Sequence, residues 1–292
     1  METPSNILRR SIFTFLQKYH YFTTIATFLA FPFAASTLLL QSLLPSQIPI
    51  IHSLLPSSSI LFSILHTKLS HTIAISVLAF PSTLSSFLFC KASVIHALMM
   101  STNQECPWPS FSCLFKLHIP LIHTQICNSL FTLSSLFIAF NLADYGLGLS
   151  SLFFSAIGAL VFSLICNLAL ILSATQKRGG FTALLKACVL IKTRIATALS
   201  LALPINATMA AVEALFQYRV VRAYHDDGVF SAALEGLFIA YLYALLIVLD
   251  TIVAYFFFTT CEEHKDGRKK IAQDQSLACS CRSIKIVEGL PW

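Results

Sequence analysis

Charged side chains are scarce in this chain. Asp, Glu, Lys and Arg supply 11% of its 292 residues, against about 25% in an ordinary soluble domain. That is too few to cover a water-exposed surface, which excludes a soluble globular protein of this size. Groupings that carry chemistry are missing as well. There is no H-x-x-x-x-D pattern, no Gly-rich phosphate loop and no Ser/His/Asp constellation. The nine cysteines, Cys90, Cys106, Cys113, Cys127, Cys166, Cys188, Cys261, Cys279 and Cys281, show no zinc-type spacing. Cys279 and Cys281 form a C-x-C without a second pair or nearby histidines, and no disulfide framework is implied. Cysteines inside apolar runs behave as small hydrophobes. His52, His66 and His71 cluster in sequence with no carboxylate or cysteine beside them. No metal site or cofactor is expected, and the chain reads as non-enzymatic.

Apolar residues dominate instead. They make up 56% of the chain, with 25 Phe and a mean hydropathy of +0.77. A bilayer core about 30 Å thick is crossed by about 20 helical residues. Six stretches reach about that length: Tyr21–Leu44, Thr72–Cys90, Ile119–Asn141, Leu149–Ser173, Ile195–Phe216 and Leu237–Phe258. The expected fold is an all-α polytopic transmembrane bundle of about six spans. Residues 1–20 form an N-terminal segment, 21–260 the transmembrane domain and 261–292 a basic, poorly ordered tail.

In the N-terminal segment, Ile7, Leu8, Ile12, Phe15, Leu16 and Tyr19 share one side of a helical wheel, with Arg9, Arg10 and Lys18 mostly away from it. That pattern reads as an amphipathic helix on the membrane surface or as a basic flank to the first span. The first apolar stretch exceeds the 7–15 residues of a signal-peptide core, so a retained anchor is expected. Residues 45–71 are apolar but interrupted by Pro45, Pro49, Pro56 and three successive serines. Proline removes a helix donor, so this segment reads as interfacial or re-entrant. With both termini on one side, 16 of the 19 Lys and Arg residues fall on that side, leaving Lys68, Arg219 and Arg222 across the membrane. The positive-inside rule makes the crowded side, with both termini, cytosolic.

Charge within a span is costly and marks a functional lead. Asp250 lies deep in the sixth stretch. Lys91 ends the second, Asn167 lies in the fourth at similar height, and Lys192 and Arg194 flank the start of the fifth. Asp250, Lys91, Asn167, Lys192 and Arg194 are therefore the candidate polar cluster, either a cation or proton site or a structural ion pair. Glu213, Arg219, Arg222 and Glu235 read as a solvated ion-pair cluster at the far interface. Asn128, Asn167 and Asn206 read as interhelical hydrogen-bonding groups, and Ala207, Ala210, Ala211 and Ala214 give small-residue spacing that favours close helix packing. Cys279 and Cys281, beside Arg282, are candidates for lipidation.

One resemblance rests on particular runs. These are Leu78-Ala79-Phe80-Pro81, Phe89-Cys90-Lys91-Ala92-Ser93-Val94-Ile95-His96, Leu114-Phe115-Lys116, and Ser173-Ala174-Thr175-Gln176-Lys177-Arg178-Gly179-Gly180 with Ala183-Leu184-Leu185-Lys186. Over about residues 70–260 the chain resembles a large plant family of uncharacterised six-span membrane proteins. The resemblance implies a polar turn and an amphipathic cytosolic helix before the fifth span, and it implies no established activity.

The expected function is solute transport or the organisation of membrane and partner proteins, with a lipid-modifying enzyme as the alternative. The expected partners are the lipid bilayer and proteins reached through cytosolic segments 100–118 and 174–194, with no nucleic acid. Endoplasmic reticulum and plasma membrane are equally compatible locations, and the sequence leaves the oligomeric state open.

Overall fold

A computed structural model describes residues 3–40, 82–100, 111–144, 149–176, 179–192, 194–221 and 229–287, and every element among them is helical. The interrupted segment at 45–71 lies outside the described residues. Helix α1 covers Pro4–Gln17. Thr3 is extended and Pro4 opens the first turn, where its missing N–H would have had no helical partner. The backbone turns at Lys18 (φ −113, ψ 35), and α2 follows over Tyr19–Leu40. A π-helical stretch at Ala26–Ala30 interrupts α2 just before Pro32. Helix α3 is Ser82–Met100, α4 Phe111–Asp144 and α5 Leu149–Gln176. Helix α6 is Phe181–Lys192, and α7 is Ile195–Phe216, which runs on as a π-helical turn over Gln217–Val221. Helix α8 is Val229–Val287, so its backbone continues through most of the 261–292 tail.

Among the described residues, four helical stretches are long and apolar enough to cross a membrane: Tyr19–Leu40, Ser82–Met100, Ile195–Val220 and Ala233–Glu263. A fifth arises if Leu160–Gln176 and Phe181–Lys192, bent by 118°, count as one broken span. Helix α4, which carries the third apolar stretch, is not among them; its first half holds Lys116, His118, His123 and Gln125. The chain is an all-α helical bundle with four to five candidate membrane-spanning helices, and its apolar helices make it a membrane protein. Its outer surface agrees: Phe28, Leu130, Phe131, Leu203, Leu237 and Phe238 are all exposed, a disposition that water would oppose.

Packing centres on α8, which touches α1, α2, α5 and α7. Ala240, Ala244, Val248 and Ile252 recur every fourth residue along α8 and are all buried, the spacing of one helical face. Helix α5 is enclosed on every side over Leu168–Leu172, and α3 over Cys90–Ile95. The second apolar stretch thus does not end at Cys90. Its helix runs ten residues further, placing Lys91 inside the bundle at 4% exposure.

Two surfaces differ from the sequence reading. Helix α1 packs Ile7, Leu8, Ser11 and Phe15 onto the bundle but leaves Ile12, Phe13 and Leu16 outside, and Tyr19 at the start of α2 is exposed as well. Its apolar residues wrap around more than one face, and α8 and α7 accept only part of them. The small residues Ala207, Ala210, Ala211 and Ala214 are exposed, while α7 packs through Ala198, Leu201, Ala202 and Ile205.

A glycine turn joins α5 and α6 to α4. Gly180 has φ +83, a region that favours glycine, and its N–H donates to Thr124 Oγ1 at 3.0 Å. A Cβ on Gly179 would run into the Pro120 carbonyl. The Pro120 bend in α4 and the turn before α6 are therefore seated against one another.

Candidate functional site

Three helices place polar groups at one point. Lys91 comes from α3, where its neighbours are buried on all sides. Asn167 comes from α5 one residue before its fully enclosed stretch. Asp250 comes from α8, next to the buried Thr251 and Ile252. The Lys91 ammonium donates to Asn167 Oδ1, and Asn167 Nδ2 donates to Asp250 Oδ2 at 2.6 Å. An ammonium only donates, so this contact sets which way the amide faces. Lys91 Nζ also lies 4.8 Å from the centre of the Phe87 ring, a favourable cation–π placement. Asn167 therefore joins two opposite charges that do not touch directly.

The triad forms part of the wall of a cavity of about 400 Å³. Six helices contribute to that wall, through Phe33, Lys91, Asn128, Asn167, Asn206 and Asp250 among others. Its size falls in the range of small-molecule pockets. Asn167 and Asp250 also border a second void of about 30 Å³, between Ile191, Ala198 and Phe257. Asn167 and Asp250 thus border both a roomy chamber of mixed lining and a small apolar one.

Of the five residues expected in this cluster, three meet and two do not. Lys192 is exposed, Arg194 is half-buried, and neither lines either cavity. They share a level with Asp250 in the chain's threading, but not a facing direction. The Cys279 and Cys281 side chains lie outside the described residues, although the α8 backbone passes through both.

The ion-pair group at the far end is also rearranged. Tyr243 donates to Glu213 Oε1 at 2.7 Å, while Arg219 and Glu235 approach to 3.6 Å with both side chains exposed. Arg222 lies outside the described residues. Tyr243 and Gln125 line the main cavity without having been singled out. The spacing of Tyr243, Ile247 and Asp250, four and three residues apart on one face of α8, is the signal that would have found Tyr243. Asn128 donates through Nδ2 to the Cys166 carbonyl at 3.2 Å, joining α4 to α5, whereas Asn206 bonds within its own helix to the Ala202 carbonyl at 2.9 Å. His118 stacks on Phe89 with ring centres 4.0 Å apart. Among the described residues, no three His, Cys, Asp or Glu side chains come together as a metal site would require.

Residues 109–277, more than half of the chain, match a family described as a domain of unknown function, DUF8558. The chain belongs to the DUF8558 family. No curated protein and no solved structure matches it. Asn128, Asn167 and Asp250 lie within the DUF8558 region. Lys91 lies ahead of it, so the polar triad joins the family domain to the helices that precede it.

Proposed function

We propose that this DUF8558 protein is a multi-pass, non-enzymatic membrane protein that moves a small polar solute through its central cavity. The observation that supports this reading is the opening of a 400 Å³ chamber onto Asp250 inside an otherwise apolar bundle. A charged carboxylate is costly at membrane depth. A purely structural ion pair has no use for a chamber beside it.

The reading includes six spans with both termini in the cytosol, as the basic residues and the resemblance to the plant six-span family suggest. Either the endoplasmic reticulum or the plasma membrane fits. The scattered acids favour transport over a lipid-modifying enzyme, which needs several acids or histidines gathered at one interface.

The test is flux through reconstituted vesicles. Asp250→Asn abolishes flux while the protein still folds and reconstitutes. Unchanged flux in that variant removes the transport reading.

A second reading, as an organiser of partner proteins through segments 100–118 and 174–194, draws support from α6. That helix buries Ala183, Leu184, Ala187, Leu190 and Ile191 but exposes Phe181, Leu185 and Val189. Proximity labelling that recovers no reproducible neighbours in living cells argues against it. Lipidation at Cys279 and Cys281 is proposed alongside either reading, and a hydroxylamine-sensitive mass shift is its signature.

A further inference from the structure

Helix α1 presents two faces. Ile7, Ser11 and Phe15 turn toward the bundle, with Ile7 and Ser11 enclosed. The other face carries Ser5, Arg9, Ile12, Phe13 and Leu16, all exposed and spaced as one side of a helix. Its character changes along its length. A hydroxyl and a guanidinium occupy the first turns, and three large apolar side chains follow. A groove of about 690 Å³ runs along this face, and every described residue lining it belongs to α1. Asn6 adds an amide to its polar end.

The packing of α1 fixes its level in the bundle. Arg10 Cζ lies 4.8 Å from the centre of the Phe256 ring. Within about two helical turns beyond Phe256, α8 changes from apolar to charged at Glu262 and Glu263. The small void between Ile191, Ala198 and Phe257 puts the start of α7 at the same level, and with it Lys192 and Arg194. Helix α1 therefore lies where hydrocarbon gives way to headgroups, at an end where Arg9, Arg10, Lys192 and Arg194 outnumber Glu262 and Glu263 among the described residues.

The polar end of the groove is positive. Arg9 is exposed and has no hydrogen bond or ion pair among the described residues, whereas Arg10 is engaged by Phe256. No Asp or Glu occurs between Thr3 and His20, so a choline or ethanolamine ammonium finds no counter-charge on this helix. A guanidinium suits phosphate, which it can grip through two N–H groups. Ile12, Phe13 and Leu16 call for an apolar cover, which a free inorganic anion does not supply. An amphiphile with a negative head answers both halves.

We infer that the outward face of α1 binds an anionic phospholipid of the surrounding leaflet, its phosphate held by Arg9 with Ser5 and Asn6 and an acyl chain laid along Ile12, Phe13 and Leu16. The site is separate from the central cavity and does not depend on what that cavity carries. On the positive-inside reading this end faces the cytosolic leaflet, where anionic lipids concentrate.

The experiment exchanges the full chain, purified in detergent, against mixed micelles with equal amounts of phosphatidylglycerol and phosphatidylcholine. Lipid retained per protein is counted by mass spectrometry. The melting temperature is read separately with each lipid and with glycerol phosphate, a headgroup without chains. Phosphatidylglycerol is expected to be retained in preference and to raise the melting temperature, and glycerol phosphate to leave it unchanged. Arg9→Gln is expected to weaken phosphatidylglycerol binding about fivefold, the worth of one basic side chain at an anionic surface. Phe13→Ala weakens it as well, and Lys192→Gln, at the same level but off α1, does not.

Equal retention of the two lipids overturns the inference. A response to glycerol phosphate as large as that to phosphatidylglycerol overturns it too, by showing a phosphate site with no use for the chains. Equal losses from Arg9→Gln and Lys192→Gln replace the α1 site with a diffuse basic collar. If Arg9→Gln fails to fold, a phosphatidylglycerol bearing a photoreactive acyl chain decides the matter on the unaltered protein. Labelling of residues 12–16 supports the site, and labelling that misses them overturns it.

Discussion

Asn167 on α5 accepts a hydrogen bond from Lys91 on α3 through one atom of its amide and donates to Asp250 on α8 through the other, at 2.6 Å. Neither charge is compensated by its own helix, so each depends on the amide and on the opposite charge beyond it. Removing one member of a buried charge pair costs about 3–5 kcal/mol, because the other is stranded. Asp250→Leu and Lys91→Met are each expected to destabilise the detergent-solubilised protein by that amount. The double variant is expected to lose clearly less than the sum of the two. A double-mutant cycle of chemical unfolding checks this, and strict additivity would show the charges to be uncoupled.

The two acid contacts at the far end are expected to behave oppositely. Tyr243 is buried and donates to Glu213 at 2.7 Å. Tyr243→Phe is expected to lose about 1 kcal/mol, the net worth of one such bond. Arg219 and Glu235 meet in the open at 3.6 Å, where a single pair contributes little. Melting temperatures of Tyr243→Phe and Arg219→Ala measured side by side test the contrast, and a larger effect from Arg219→Ala would contradict it.

At the α5–α6 turn, Gly179 sits where a Cβ would meet the Pro120 carbonyl, and Gly180 holds φ +83. Gly180→Ala is expected to cost about 1–2 kcal/mol through its left-handed backbone alone. Gly179→Ala costs more in folded yield, since the obstacle is the backbone of α4 rather than a side chain that can swing away. Fluorescence-detected gel filtration of the two variants gives the ranking.

Helix α1 provides a test of which of its apolar faces touches the bundle. Ile7 is buried against the core, and Ile7→Ala is expected to cost about 2–5 kcal/mol. Phe13, 66% exposed, is not part of that contact. Phe13→Ala is expected to stay within about 0.5 kcal/mol of the unaltered protein in detergent. Equal losses from the two substitutions would mean that α1 seats on its other side.

Much of the candidate site was legible as a set of heights, and little of it as a set of contacts. Lys91, Asn167, Lys192 and Arg194 all fall near the level of Asp250 when the apolar stretches are threaded through a bilayer. Only the first two join it, Asn167 directly and Lys91 through Asn167. Height follows from counting residues along a helix at about 1.5 Å each. The direction in which a residue faces depends on how each helix is rotated against its neighbours. For Lys91 the count itself was also off, because its helix continues to Met100 and carries it into the bundle interior. Tyr243 escaped notice because a tyrosine in an apolar run looks like one more large side chain until its hydroxyl is seen to reach Glu213.

Helicity and immersion in lipid were determined by the chain on its own. Long apolar stretches cannot be covered by so few charges, and in hydrocarbon a backbone must satisfy its hydrogen bonds within itself. The meeting of Lys91, Asn167 and Asp250, 76 and 83 residues apart in successive steps along the chain, was decided only by tertiary structure. So was the chamber they border. Packing of six helices sets the rotation of each about its own axis, and no local pattern encodes that rotation.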